Sequence, residues 1–283
     1  MSGRRVFILT LVAMTAFAGN SLLCRLALKN TSIDAASFTS IRLLSGALML
    51  WLIVRIRGGT HGVTGSWFSA LALFLYAAGF SFAYVSLSAG TGALLLFGAV
   101  QITMIGYGLH SGERLSKCQV AGLIFAFCGL IGLLLPGLSA PPVHGAVLML
   151  GAGIAWGIYS LRGTGSSDAT RMSAGNFLRA VPFAVALSII TLPAAGLDRA
   201  GLWYAIASGA LASGVGYAIW YTALQGLQAT SAATVQLSVP VIAAIGGLIL
   251  LGEPLTERLL ITSIAILGGI ALVVLNNDRA QQR

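Results

Sequence analysis

Phe80 and Tyr84 stand four residues apart, and so do Tyr217 and Tyr221. On a helix that spacing puts both rings of a pair on one face. Trp156 and Tyr159, three apart, share a face in the same way, and Trp220 sits beside the second tyrosine pair. Such rings stack on flat solutes, and their hydroxyls orient a carboxylate or an amine. The competing reading is packing, or a belt at the membrane interface; the belt is the expectation for Trp51, Trp67 and Trp203. Asn20, Gln101 and Gln236 add uncharged groups able to bond a zwitterion or a neighbouring helix. Arg42 and Arg179 cannot shed their charge, so each needs carbonyls, water or an anion. Either is a candidate for a substrate carboxylate, but the favoured reading of both is structural.

What is missing narrows the chemistry. Asp34, Glu113, Asp168, Asp198, Glu253, Glu257 and Asp278 all fall in links or at helix ends, as do His61, His110 and His144. A carboxylate proton relay, or a site for a desolvated cation, calls for one at a helix centre. No HExxH or G-x-S-x-G stands in the chain, which disfavours a membrane enzyme. Cys24, Cys118 and Cys128 form no CxxC pair and read as small hydrophobes. No catalytic residue, metal or cofactor is expected. Rings of charge suited to a channel are also missing.

The elements that would hold these residues follow from composition. The chain has 283 residues, 57% hydrophobic and 8% charged, with a mean hydropathy of +0.93. A soluble domain carries about a quarter charged residues, so this is an integral membrane protein. A span needs about 20 apolar residues. That ruler gives ten helices, near 6–28, 35–56, 66–87, 90–110, 117–136, 143–162, 174–193, 200–224, 231–251 and 256–275. The first run, with Arg4 and Arg5 ahead of it, imitates a signal peptide but is long enough to span. The net charge of +9 is scattered at the ends of runs, which suits topology control and not nucleic acid. With the N-terminus cytoplasmic, ten cations fall inside and four outside, so both termini are expected in the cytoplasm.

The chain also repeats. A shift of 140 residues lays GERLSK, from Gly112, on GEPLTE, from Gly252, and TGALLLFGAVQ (91–101) on SAATVQLSVPV (231–241). Small slips bring Arg42 to Arg179, Phe80 and Tyr84 to Tyr217 and Tyr221, and the first helix to the sixth. Residues 1–136 and 143–275 read as five-helix repeats, with 276–283 a cytoplasmic tail. An odd number of crossings per repeat inverts the second copy. Inverted repeats commonly hold a midplane site and expose it alternately to the two faces. The links SAGTG (88–92) and QGLQATS (225–231) are candidate flexible parts of two gates. Pro240 and Pro182 are candidate kinks, and Gly153 and Gly157 mark close helix packing.

Ten helices in two halves, a Gly-Glu-x-Leu-[Ser/Thr] boundary after the fourth and ninth, and the paired Arg42 and Arg179 resemble the drug/metabolite transporter superfamily, EamA-type. Within it the chain looks most like a bacterial aromatic amino acid exporter. The resemblance implies an inner-membrane carrier whose central cavity is lined mostly by helices other than the fifth and tenth. The small multidrug relatives carry a glutamate in their first helix; here that region offers Asn20. A neutral or zwitterionic aromatic solute, moved by facilitated diffusion, is therefore expected, with other small metabolites or drugs as the alternative. The expected partners are that solute and the bilayer, with no nucleic acid, and the expected state is a monomer.

Overall fold

A computed structural model describes residues 2–281 except 59–63, 111, 113–115, 136, 138–139, 164–165, 167 and 228–234; of residues 274–281 it describes the backbone alone. Regular structure among the described residues is entirely helical. The helices are α1 (Gly3–Asn30), α2 (Ala35–Ile56), α3 (Trp67–Tyr84), α4 (Ala89–His110) and α5 (Lys117–Leu134). They continue as α6 (Val143–Gly163), α7 (Ala169–Ile190), α8 (Arg199–Leu224), α9 (Ser238–Leu251) and α10 (Glu257–Gln281). Eight of them, α1 to α8, are long and apolar enough to cross a bilayer, and α9 is a shorter apolar helix. The protein is an all-α, multi-pass membrane protein.

Polar residues in the links start and stop these helices. Asp34 accepts the backbone N–H groups of Ala36 and Ser37, and Ser66 accepts that of Ser69. Ser116 and Gln119 form a reciprocal capping box at α5. These side chains satisfy donors that have no partner within their own helix. Gly112 and Gly252, first residues of the two repeated motifs, both take positive φ, +93° and +62°. Glycine reaches that conformation without a Cβ clash, so the repeat preserves a helix stop.

The pairing of helices is similar in the two halves of the chain. The main pairs are α5 with α10, α3 with α6, α2 with α7, α4 with α6, α2 with α8, α4 with α9, and α1 with α8 and α9. Add five to every label in the first repeat and subtract five in the second. The α3–α6 pair then becomes α8–α1, α4–α6 becomes α9–α1, and α2–α8 becomes α7–α3, each of which is present. Pairs α2–α7, α4–α9 and α5–α10 map onto themselves. Two similar halves packed face to face would give these pairs. The self-paired α5 and α10 lie to one side, so the centre belongs to the other eight helices.

Three local expectations change. Ser88 caps α4 through the Thr91 N–H, and Ala89 to Thr91 form its first turn, so most of SAGTG is helix and not a flexible link. Most of QGLQATS lies outside the described residues, as do His61 and Glu113. Pro240 is no mid-helix kink: it stands in the first turn of α9, just past a turn at Leu237. Proline needs no helical donor there, and its ring opposes a helix running in from residue 236. The tenth helix continues to Gln281, so the expected tail at 276–283 is helical over its described length. Pro182 does lie inside α7.

Close approach needs small residues at defined points. A Cβ on Gly153 would stand 2.6 Å from the Leu96 carbonyl oxygen, and one on Gly157 2.8 Å from Thr103. The expected packing face of α6 therefore lies on α4. In the middle of α8 the turns widen to π-helix over Ala207–Val215, against α1 and α2. There Gly209 meets the carbonyl of Arg42 with no room for a side chain. Wide turns of this kind mark functional segments in many helices.

Candidate functional site

Between the halves lies a cavity of about 690 Å³, within the range of small-molecule sites. Its walls come from α1, α4, α6 and α8, and its mouth from Arg57, Ser166, Asp168 and Thr170. Deeper in, a smaller chamber of about 20 Å³ is bounded by Asn20, Tyr76, Phe80 and Phe97, a size near that of a single water. Phe17, Trp156, Tyr217 and Gln236 wall both voids, so the two adjoin. No described residue of α5 or α10 lines either one.

The walls are mostly aromatic. Trp156 lies 4.7 Å from Tyr76 and 5.3 Å from Tyr217, centroid to centroid. Phe17 meets Tyr217 and Trp220 edge-on at 5.8 Å and 6.0 Å. A flat ring in this space would find π faces on several sides. Polar contacts enter from fixed points. Ser208 of the π segment donates to the Asn20 carbonyl oxygen at 2.6 Å, and the Asn20 amide donates to the Tyr76 hydroxyl at 3.3 Å. Gln101 and Gln236 also stand in the walls of the large cavity.

The opposite end is shut. Arg25 of α1 pairs with Glu253 at 2.8 Å and donates to the carbonyls of Tyr84 and Val85, where α3 ends. Glu253 also accepts the Ala89 N–H at 2.7 Å, at the start of α4. Lys29 donates to the Leu251 carbonyl. One carboxylate thus joins α1, the α3–α4 junction and the end of α9. The second Gly-Glu motif, which reads in sequence as a boundary between helices, carries a partly buried ion pair. The chain is open at the end bearing Arg57 and Asp168 and closed at the end bearing Glu253.

The expected site residues divide. Asn20, Phe80, Gln101, Trp156, Tyr217, Tyr221 and Gln236 line the two voids. Tyr84 and Tyr159 do not; both are buried, with hydroxyls on the Ala89 carbonyl at 3.3 Å and on Ser173 at 3.1 Å. Arg179 bonds the carbonyls of Thr64 and Gly175, near the open end. Because α7 begins at Ala169 and not near 174, its depth in the helix differs from that read in sequence. Arg42 is in the core, 1% exposed, and behind the small chamber. Its symmetry with Arg179 does not extend to the environment. Sequence reasoning missed Phe17, Tyr76 and the Arg25–Glu253 pair. Tyr76 lies one turn before Phe80 on the same face, the signal that would have found it.

The comparisons agree with this architecture. The EamA-like transporter family model matches residues 143–275, from the start of α6 into α10. An uncharacterized protein of Pseudomonas aeruginosa is 58% identical over 97% of this chain and 96% of its own length. An uncharacterized transporter of Archaeoglobus fulgidus is 26% identical over 88% of this chain and 90% of its own. The uncharacterized transporter YoaV of Bacillus subtilis is 23% identical over 82% and 85%. A solved crystal structure superposes with a TM-score of 0.69 over 97% of this chain and 99% of its own, at 18% identity. That likeness speaks for the fold alone. With paired helical halves around a cavity open at one end and clasped at the other, the chain belongs to the EamA-like transporter family.

Proposed function

We propose that the protein is an inner-membrane carrier that exports aromatic and other neutral amino acids by alternating access, as a facilitated uniporter. The observation that carries this reading is the aromatic space between the paired halves, open at one end, where Asp168 stands at its mouth, while Arg25 and Glu253 pair at the other. A carrier must close one gate before it opens the other, and inverted halves supply the exchange. Asn20, Phe80, Gln101, Trp156, Tyr217, Tyr221 and Gln236 bind the solute, with Tyr84 and Tyr159 supporting them. In this reading the N- and C-termini are cytoplasmic, which makes the open end the cytoplasmic one and the Glu253 end the outer one. Among the described residues that line the two voids, Asp168, at the mouth, is the one carboxylate. No described acidic side chain stands where a proton relay would need one, so transport runs without a pH gradient.

Purified protein in liposomes tests this. Entry of labelled tryptophan, phenylalanine, alanine, a sugar phosphate and a lipophilic cation is measured with and without a pH gradient. The expected result is saturable flux that prefers tryptophan and phenylalanine and is indifferent to the gradient. Gradient-driven flux of the cation alone would overturn the reading in favour of a drug antiporter.

A further inference from the structure

Arg42 is a fully buried guanidinium whose Nε and Nη1 have no hydrogen-bond partner. Its Nη2 donates to the Tyr76 hydroxyl at 2.9 Å, and its carbon lies 5.1 Å and 4.8 Å from the Tyr76 and Phe80 ring centres. Those rings wall the small chamber. Among the described residues, no carboxylate pairs with it. Of the acidic side chains described, the buried one, Glu253, is committed to Arg25, and none lines the chamber. A cation held this deep without a counter-charge favours an anion in the adjoining space.

The Tyr76 hydroxyl shows where that anion would sit. Its oxygen accepts from Arg42 and from Asn20, whose own carbonyl oxygen is occupied by Ser208. A phenol oxygen that accepts twice still has one proton to donate. Arg42 strengthens that donor by drawing charge from the oxygen it bonds. We infer that Tyr76, backed by Arg42, is the carboxylate subsite of the carrier, so that its solute is an aromatic carboxylate oriented acid-first into the small chamber. The inference deepens the amino acid reading and rests on it for the carrier function. Tyr76 touches the solute, while Arg42 and Asn20 position it and set the sign of the charge accepted.

The test compares solutes that differ only at the acid. Inhibition of labelled tryptophan entry into liposomes is measured with tryptophan, tryptophan methyl ester, tryptamine and indole-3-propionate, and entry of labelled indole-3-propionate is measured directly. In wild type the ester and tryptamine are expected to compete about 10-fold to 100-fold less well than the two acids, as loss of a charged hydrogen bond implies. Tyr76→Phe and Arg42→Lys are expected to raise KM for the acids and shrink the acid-to-ester ratio, with size-exclusion profiles reporting folding. Equal competition by acid, ester and amine in wild type overturns the inference and leaves the amino acid reading standing. Entry of indole-3-propionate without entry of any amino acid overturns that reading and supports the subsite. Absence of saturable flux for every aromatic acid overturns both.

Discussion

Trp156 and Tyr217 wall both voids and lie 5.3 Å apart, so a solute passing between the voids must meet them. A well-placed aromatic pair adds about 0.5–1.5 kcal/mol beyond area burial, and 1.4 kcal/mol is about tenfold in affinity. Trp156→Ala and Tyr217→Ala are each expected to raise KM for tryptophan by about tenfold or more, read from initial rates in liposomes. Tyr84→Phe removes the hydroxyl and its bond to the Ala89 carbonyl, and leaves the ring in place. That change is expected to leave KM within about twofold and to lower thermal stability by about 0.5–1.5 kcal/mol. Equal KM effects at all three positions would mean that the rings act through packing. Tyr217, with Tyr221 beside it, was legible in sequence because a four-residue spacing fixes a shared face. Which of two such pairs meets the cavity was not, since Phe80 lines it and Tyr84 does not.

Helices contribute in two distinct ways, through their faces and through their ends. Gly153 and Gly157 lay α6 against α4, and a Cβ on Gly153 would overlap the Leu96 carbonyl and Ala99. Overpacking a close contact costs about 1–3 kcal/mol. Gly153→Leu is expected to lower the melting temperature in detergent by several degrees, whereas Gly151→Ala, with open space around it, is expected to be neutral or mildly stabilising. At the ends, burial alone would raise the Asp34 carboxyl, but bonds from Ser37, Gly196 and Ala36 outweigh it and hold it below its usual value. A carboxylate depressed in the fold stabilises it above its unfolded value, near pH 4, and loses that contribution as pH falls through the lower folded value. Asp34→Ala is therefore expected to cost about 0.5–2 kcal/mol at pH 7, with the difference from wild type closing in acid. Thermal melts across pH measure it; a gap that persists at the lowest pH would assign the effect to lost packing.

At the scale of the molecule, the Arg25–Glu253 pair ties α1 to the α3–α4 junction and the end of α9, and in the proposed carrier it holds that end shut. Removing one partner of a buried pair costs about 3–5 kcal/mol, and here that cost falls on the closed conformation. Cys24, fully buried and next to Arg25, is a native reporter. With Cys118 and Cys128 replaced by serine, Glu253→Gln is expected to raise the labelling rate of Cys24 by an impermeant maleimide at least about tenfold, from the Glu253 face. An unchanged rate, with folding intact, would show that the clasp does not hold the gate. The main pairs α3–α6 and α4–α6 have counterparts in α8–α1 and α9–α1, and in the proposed carrier inverted halves of this kind would exchange their conformations. What opens one face shuts the other.

Sequence by itself marked the apolar runs that become helices, their approximate bounds and the repeated Gly-Glu motif that ends two of them. These follow from local rules: a bilayer sets the length of an apolar run, and a repeated Gly-Glu stop sets the period. Only the tertiary structure decided which residues share the cavity and which charges are paired. Arg25 and Glu253 are 228 residues apart, and their contact exists because α1 and α9 pack together. Arg42 and Arg179 are equivalent in the repeat, yet one is buried among rings and the other bonds carbonyls near an end. A repeat equates positions along the chain, but the environment of a side chain depends on every helix packed around it.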